Sequence, residues 1–389
     1  PEISLIIIAL LLLPVSLIFK TNGRKAIIPF FTFGFIISFS SLIFNWNISS
    51  HGLFLNLIAY DRFSQFFKMC LLVLTFFPFL ISLYSSELKN VSLTEYHFFI
   101  FVLLLGSFLL VSSNNLLMIY LSIEIISISC LILVGYLKTD KKSNKAAVKN
   151  LFSSLLSSAI LIYGLSLVYG LTGTLYLTEV EHSLINSSVN NFSIIIIILL
   201  IFCGLGYKLT IVPFHLWASD VYKNTPTPTT AILTTLPKIA GFSILIRILV
   251  ITFGNTNFTL VEQFHLTETI AVLSVVTMTV GNLLALNKKN IKEILAYSSI
   301  AHSGFILMGL STFTQEGISA SIFYLIIYSF AFIGIFTAII NSRTDFQPTN
   351  FKNHSGFNYR SSFPSIMTVS YTHLRAHETS LHLVCRLLL

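Results

Sequence analysis

Three ionisable residues, Glu124, Lys208 and Lys238, stand near the midpoints of long apolar runs in a chain that elsewhere keeps its charges at the ends of such runs. A charge at the bilayer centre costs roughly 2.5–3.5 kcal/mol on insertion scales, so a carboxylate and two amines placed there point first to the movement of an ion or a proton. Lysine can snorkel to the interface only from near the end of a span, and neither Lys208 nor Lys238 is near one. The proton affinity of a buried amine depends on how near a carboxylate stands, so a carboxylate that approaches and withdraws can charge and discharge it. The plainer readings are a hydrogen-bonded or protonated Glu124 and two lysines in static ion pairs. The second is weakened by there being one candidate carboxylate, Glu124, for two amines. His302, in AYSSIAHSGFILMGL, has Tyr297, Ser298, Ser299 and Ser303 around it. It is either a helix–helix hydrogen bonder or a relay, and the hydroxyls favour a proton wire. Lys68 and Arg247 lie near the outer ends of their runs and read as snorkelling side chains.

The elements that must position these residues follow from composition. The 389 residues are 54% hydrophobic and 10% charged, with a mean hydropathy of +0.84. A soluble surface usually needs about a quarter charged residues, so the chain is an all-α polytopic membrane protein. The formal charge of +8 is dispersed in short clusters between apolar segments. That is the pattern of membrane topology rather than of nucleic-acid binding. Cys70, Cys130, Cys203 and Cys385 form no CxxC pair, and the first three lie inside apolar runs, so neither a disulfide frame nor a metal cluster is expected. Glu2 precedes the first apolar run and Lys20, Arg24 and Lys25 follow it, the reverse of a signal peptide, so this run is a retained span. Because the chain opens at Pro1, a few N-terminal residues are expected to precede it.

A spanning helix needs about 20 largely apolar residues. Eleven segments meet the template, at 3–19, 26–45, 64–84, 96–112, 115–137, 147–169, 192–222, 229–251, 267–286, 291–310 and 318–340. Ser112, Ser113, Asn114 and Asn115 suit a tight turn between the fourth and fifth. With the N-terminus outward, sixteen basic residues fall in inward loops, including Lys138, Lys141, Lys142, Lys145 and Lys149, and only Arg62 falls outward. The positive-inside rule therefore supports both the count and the direction. The seventh segment is too long for one crossing and contains Pro213, followed by His215, Trp217, Ser219 and Asp220. Proline removes a backbone donor and clashes with the preceding turn, so this helix is expected to break, with Lys208 five residues before Pro213. Broken spans expose helix ends to a polar pathway. His215 lines the break or satisfies its freed carbonyls.

The C-terminal stretch departs from this pattern. Residues 363–369 look ready to begin another span, but SYTHLRAHETSLHLVCRLLL turns abruptly polar and reads as non-homologous, artefactual sequence. His377, Glu378 and His382 are spaced HExxxH, which does not set both imidazoles one helical turn apart as a zincin requires. The chain has no phosphate-cradling glycine motif, no iron–sulfur cysteine set and no Ser-His-Asp constellation, so it is expected to handle no electrons itself.

The segments LSIEIISISCLILVGY, KNLFSSLLSSAILIYGLSLVYGLTGTLY, YKLTIVPFHLWASDVYKNTPTPTTAILTTLPKIAGFSILIRI and GNLLALNKKNIKEILAYSSIAHSGFILMGL resemble, in order and spacing, the subunit N family of respiratory NADH:quinone oxidoreductase, complex I. Its mitochondrial counterpart is NADH dehydrogenase subunit 2. The resemblance runs from Pro1 to Val369, and PFHLWASDVY with TPTPTT and LPKIAGF carries most of its specificity. It implies an antiporter-like fold of inverted five-helix repeats, with an N-terminal three-helix region over 1–95, a first repeat over 96–251, an incomplete second repeat over 252–369 and a non-homologous tail over 370–389. It also implies that Glu124 matches the fifth-helix glutamate, Lys208 the lysine of the broken seventh helix, Lys238 the central lysine of the eighth and His302 the tenth-helix histidine, together one proton path. No cofactor is implied in this chain. NADH, FMN, iron–sulfur clusters and quinone would sit in partner subunits, and the partners would be other membrane-arm subunits, the lipid bilayer and protons, with no nucleic acid. In the family a second broken helix with a further lysine follows a stretch like PSIMTV, where this chain diverges; nothing around Arg386 matches that lysine. A cation/proton antiporter subunit of related fold and a non-transporting scaffold are the rival readings. AYSSIAHSG looks more bacterial than mitochondrial, and the Phe-, Ile-, Asn- and Lys-rich composition points to an AT-rich genome, so a bacterial inner membrane is expected, with a mitochondrial inner or plastid thylakoid membrane as the alternative.

Overall fold

The structure, a computed structural model, describes residues 1–18, 23–46, 51–89, 91–186, 191–250 and 265–342. Residues 363–369, expected to open a further span, and the divergent tail lie outside them. In chain order the helices are α1 (Glu2–Ile18), α2 (Gly23–Phe44), α3 (Arg62–Tyr84), α4 (Leu93–Val111), α5 (Leu116–Val134), α6 (Lys141–Thr172), α7 (Leu177–Asn186), α8 (Asn191–Leu209), α9 (Ala218–Asn224), α10 (Thr227–Leu249), α11 (Leu266–Leu286), α12 (Ile291–Leu310) and α13 (Gln315–Ser342). Eight of these are long and apolar enough to cross a membrane, and shorter apolar helices cover Glu2–Leu12, Ile28–Phe44 and Ser193–Leu209. The apolar helices fall on the segments expected from the sequence.

One short piece of sheet, not placed by the sequence pattern, stands among the described helices. Between α2 and α3 an antiparallel hairpin pairs β1 (His51–Leu53) with β2 (Ile58–Tyr60), His51 opposite Tyr60. Its second strand is extended by an isolated bridge from Ile58 to Ser113, so the polar α4–α5 turn docks on it. Short polar side chains start the helices where the sequence offers them. Asp61 accepts from the Ser64 backbone N–H at the start of α3, Asn115 from Leu117 at α5, Asp140 from Lys142 at α6 and Asn290 from Lys292 at α12, each meeting a donor that the helix leaves free.

In lipid the apolar faces of helices gain little from meeting one another, and close packing through small residues matters more. Gly204 of α8 lies so near α6 that an added Cβ would stand 2.6 Å from the Leu161 Cβ, and at Gly281 of α11 it would stand 2.7 Å from the Ala301 backbone nitrogen of α12. α10 sits at the centre of the bundle, buried along nearly its whole length among α3, α4, α5, α8 and α13. Phe152, Leu155, Leu156 and Tyr163 of α6 and Val272, Val275 and Leu283 of α11 face outward, as lipid-facing side chains do.

The two ends of the bundle differ in charge. At one end the starts of α6 and α12 meet α9 through the ion pairs Lys149–Asp220 and Lys223–Glu293, and the Lys292 ammonium donates to the Thr225 carbonyl at 2.7 Å. These lysines were all expected on the inward side, so this is the lysine-rich end. At the opposite end Arg247 of α10 pairs with Asp61, and Lys68 of α3 pairs with Glu2.

Candidate functional site

The seventh apolar segment divides as Pro213 predicts. α8 stops at Leu209, Thr210 adopts a left-handed backbone at φ 58°, and the chain resumes helix only at Ala218. Buried backbone groups freed by a break must find other partners. The Trp217 indole Nε1–H donates to the Tyr207 carbonyl at 3.0 Å, the Ser303 hydroxyl donates to the Leu209 carbonyl at 2.9 Å, and the Val212 N–H donates to Thr277 Oγ1 at 3.2 Å. Trp217 across the break and the neighbouring α11 and α12 thus meet these groups.

Lys208 occupies the last turn of α8, beside that break. Its ammonium donates to Ser127 Oγ of α5 at 2.5 Å. The expected pairing with Glu124 is not formed as a direct contact: Glu124 lies one turn from Ser127 on α5 and is absent from the ion pairs of the described residues. Its Oε1 is buried without a hydrogen-bond partner. A buried acceptor left unmet costs about 1–3 kcal/mol, so the carboxyl is a group with an interaction still to make.

Lys238, 1% exposed, lies at the middle of α10. Its ammonium donates to the Ser299 carbonyl at 2.7 Å and to Ser303 Oγ at 3.0 Å, both on α12, and stands 5.7 Å from the centre of the Tyr328 ring. His302 follows on the same helix. Its ring lies 5.0 Å from that of Tyr328, and its Nδ1 is hydrogen-bonded to the Tyr324 hydroxyl at 2.6 Å. The structure therefore brings Lys238 and His302 against the same tyrosine, Tyr328. The same Ser303 hydroxyl ties Lys238 to the broken end of α8, whose last two residues are Lys208 and Leu209. Glu124 lies one turn from Ser127 on α5, with no hydrogen bond to Lys208 among the described residues.

His215 is placed within the break, 6% exposed, and neither ring nitrogen has a hydrogen-bonding side-chain or backbone partner of adequate geometry. It lines the break, one of its two expected roles, while the Tyr207 and Leu209 carbonyls are met by Trp217 and Ser303. Lys68 and Arg247 require a correction as well: they do not snorkel. Lys68 is 1% and Arg247 4% exposed, each closed by a carboxylate, and the Arg247 guanidinium grips Asp61 with two contacts of 3.0 Å. The sequence contained no local signal for these pairs, since Asp61 and Arg247 are 186 residues apart. Lys292, counted as a loop residue, is buried in the first turn of α12. Its place in the basic cluster NKKNIKE concealed that.

A family model described as NADH:quinone oxidoreductase/Mrp antiporter, TM, matches residues 113–369. Subunit N 2 of NADH-quinone oxidoreductase from Chloroherpeton thalassium is 40% identical over 348 residues, 87% of this chain and 67% of that protein. The chloroplastic subunit 2 of NAD(P)H-quinone oxidoreductase from Mesostigma viride is 35% identical over 343 residues, with 87% and 67% covered. The chain thus spans about two thirds of the length of these relatives. In fold it matches a chain of respiratory complex I from Thermus thermophilus with a TM-score of 0.72 at 24% identity, over 94% of this chain and 78% of that one. The broken α8, the buried amines beside it and these likenesses converge: the chain belongs to the subunit N family of NADH-quinone oxidoreductase, within the NADH:quinone oxidoreductase/Mrp antiporter membrane family.

Proposed function

We propose that the chain translocates protons as a membrane-arm subunit of a NADH:quinone oxidoreductase. The observation that carries this reading is that Lys208 and Lys238 lie deep in the bundle and are held by neutral hydroxyl and carbonyl oxygens rather than by carboxylates. An ammonium held by neutral acceptors gives up its proton without stranding a paired anion, whereas an amine in a tight ion pair does not. Lys208 accepts a proton beside the break, Glu124 modulates its charge across Ser127, and Lys238 passes the proton toward His302 by way of Ser303 and the tyrosines. Residues 96–251 then form one complete repeat, and 252–369 part of a second. NADH, FMN, iron–sulfur clusters and quinone belong to partner subunits, and the reaction they carry out drives this chain by conformational or electrostatic coupling. Relatives occur in bacteria and plastids, and the motif AYSSIAHSG favours a bacterial plasma membrane.

The test is proton transfer per NADH oxidised in vesicles carrying the complex with Lys208→Ala. The proposal expects a fall in stoichiometry while NADH oxidation and assembly persist; full stoichiometry would remove Lys208 from the path. The matched family also includes Mrp antiporters, so the rival is a cation/proton antiporter subunit. Co-purification with flavin and iron–sulfur subunits supports the oxidoreductase, and Na⁺-dependent transport without NADH supports the antiporter.

A further inference from the structure

A cavity of about 360 Å³ opens at the end of the bundle opposite the lysine-rich one, where the start of α3, the end of α10 and the start of α13 come together. About 300–1,000 Å³ is the usual size of a small-ligand pocket, so the space is more than a packing defect. Its wall is divided along the helices. On α13 Gln315 and Ser319 form one row and Ile318 and Ile322 the next, and on α10 Ile246 and Val250 share a row, the members of each pair standing four residues apart. Asp61 and Gln315 mark the mouth at the helix starts, and Ile246 and Ile322 lie deepest. A cavity that is polar at the membrane surface and apolar below it fits an amphiphile, with its head at the mouth and a chain directed toward mid-depth.

The charges at the mouth select the head group. The Arg247 guanidinium, 4% exposed, is closed on Asp61 and offers an anion little surface. Arg62 and Glu316, both exposed beside the mouth, bring one charge of each sign, so no net positive charge awaits an acidic head group. Asp61 is partly exposed, and its carboxylate is not saturated. Oδ1 accepts from the Ser64 N–H at 2.7 Å and from Arg247 at 3.0 Å, whereas Oδ2 accepts from Arg247 alone, at 3.0 Å, among the described residues. An ionised carboxylate has about four lone-pair positions, so Oδ2 can take one more donor.

We propose that this cavity binds a zwitterionic phospholipid of the ethanolamine type. Its ammonium donates to Asp61 Oδ2, its phosphate stays at the mouth beside the Gln315 amide, and an acyl chain lies along Ile318, Ile322, Ile246 and Val250. The lipid then joins three helix ends that the Asp61–Arg247 pair already holds in part. The inference needs only that the chain spans a bilayer, and it stands or falls apart from the role of Lys208.

The test is the phospholipid content of the chain purified with its partner subunits in detergent, washed until the lipid per complex is constant and measured by mass spectrometry of the extract. Ile322→Trp fills the deep end and Ser319→Trp the rim, and each is expected to retain one phosphatidylethanolamine fewer per complex than the native protein. Ser319→Trp decides the matter if Ile322→Trp fails to assemble. Val275→Trp, on the outward face of α11, keeps the native number. Stripped native complex, offered mixed micelles of phosphatidylethanolamine or of phosphatidylglycerol with the same acyl chains, is expected to recover the lost equivalent from the first and not from the second, and Asp61→Asn to lose that preference. Native retention in the filled variants overturns the site and leaves the space to the chain itself. An equal loss in Val275→Trp overturns it by making the loss one of general lipid contact, and equal recovery of phosphatidylglycerol overturns the assignment of the head group.

Discussion

Away from Lys292 at the lysine-rich end, four cations of the described residues are set inside the bundle in two different ways. Lys68 and Arg247, toward the end opposite the lysine-rich face, are each closed by a carboxylate, Glu2 and Asp61. Lys208 and Lys238, near mid-depth, are met by Ser127, by Ser303 and by the Ser299 carbonyl. In the first region the opposite charge is fixed in place and the pair joins helices distant in sequence; α1 is tied to α3, and the start of α3 to the end of α10. In the second the surrounding oxygens favour the ammonium without requiring it. On the proposed function, lysine thus serves as a fastener at Lys68 and as a transferable charge at Lys208 and Lys238. What decides between them is whether a carboxylate stands within contact distance.

The sharpest way to break this comparison is to remove the amines. Lys208→Ala and Lys238→Ala are each expected to abolish proton transfer through this chain, read as protons per NADH in vesicles, with the complex still assembled. Arg247→Ala should do the reverse, sparing the chemistry but stranding Asp61. Breaking a buried pair costs roughly 3–5 kcal/mol. The fall should appear as reduced recovery of assembled complex after mild heating, and the double variant Asp61→Asn, Arg247→Met should recover much of it. Glu124→Gln keeps the shape and removes the charge. A partial fall in coupled turnover is expected, smaller than for either lysine because Glu124 acts across Ser127 rather than by contact.

The smallest effect is that of pH on the fastener. Burial opposes ionisation of Asp61, but the Arg247 guanidinium and the Ser64 N–H outweigh it and hold the carboxyl below its usual range. A carboxyl depressed in the folded state contributes stability that is complete above the ordinary carboxylate range and is lost as pH falls through its lowered value. Thermal recovery should therefore decline in acid less steeply in Asp61→Asn than in the native chain.

The positions of the helices were legible because each apolar run had to be long enough to span, and the break because Pro213 cannot continue a helix. That Lys238 and His302 are buried was legible because charge and imidazole deep in apolar runs cannot reach water. Their mutual arrangement was not. That Ser303 serves both Lys238 and the tip of α8 depends on the packing of α12 against α10, which no local pattern encodes. Lys68 and Arg247 were misread for the same reason: closeness to a span end suggests snorkelling, and the carboxylates that bury them are remote in sequence. The hairpin at His51–Tyr60 was missed because GLFLNLIAY is as apolar as the spans around it. His215 lines the break, as one of its two expected roles had it, and the Tyr207 and Leu209 carbonyls are taken by Trp217 and Ser303.

Ser303 offers a single hydroxyl hydrogen to two carbonyls, Leu209 at 2.9 Å and Ser299 at 3.0 Å, while receiving a hydrogen from Lys238. It can favour only one of them at any moment. If the tip of α8 rewinds or draws away, that hydrogen swings to Ser299 and competes there with the ammonium for the same oxygen. The geometry at the fracture in one helix and the grip on the central amine of another are therefore not separately adjustable.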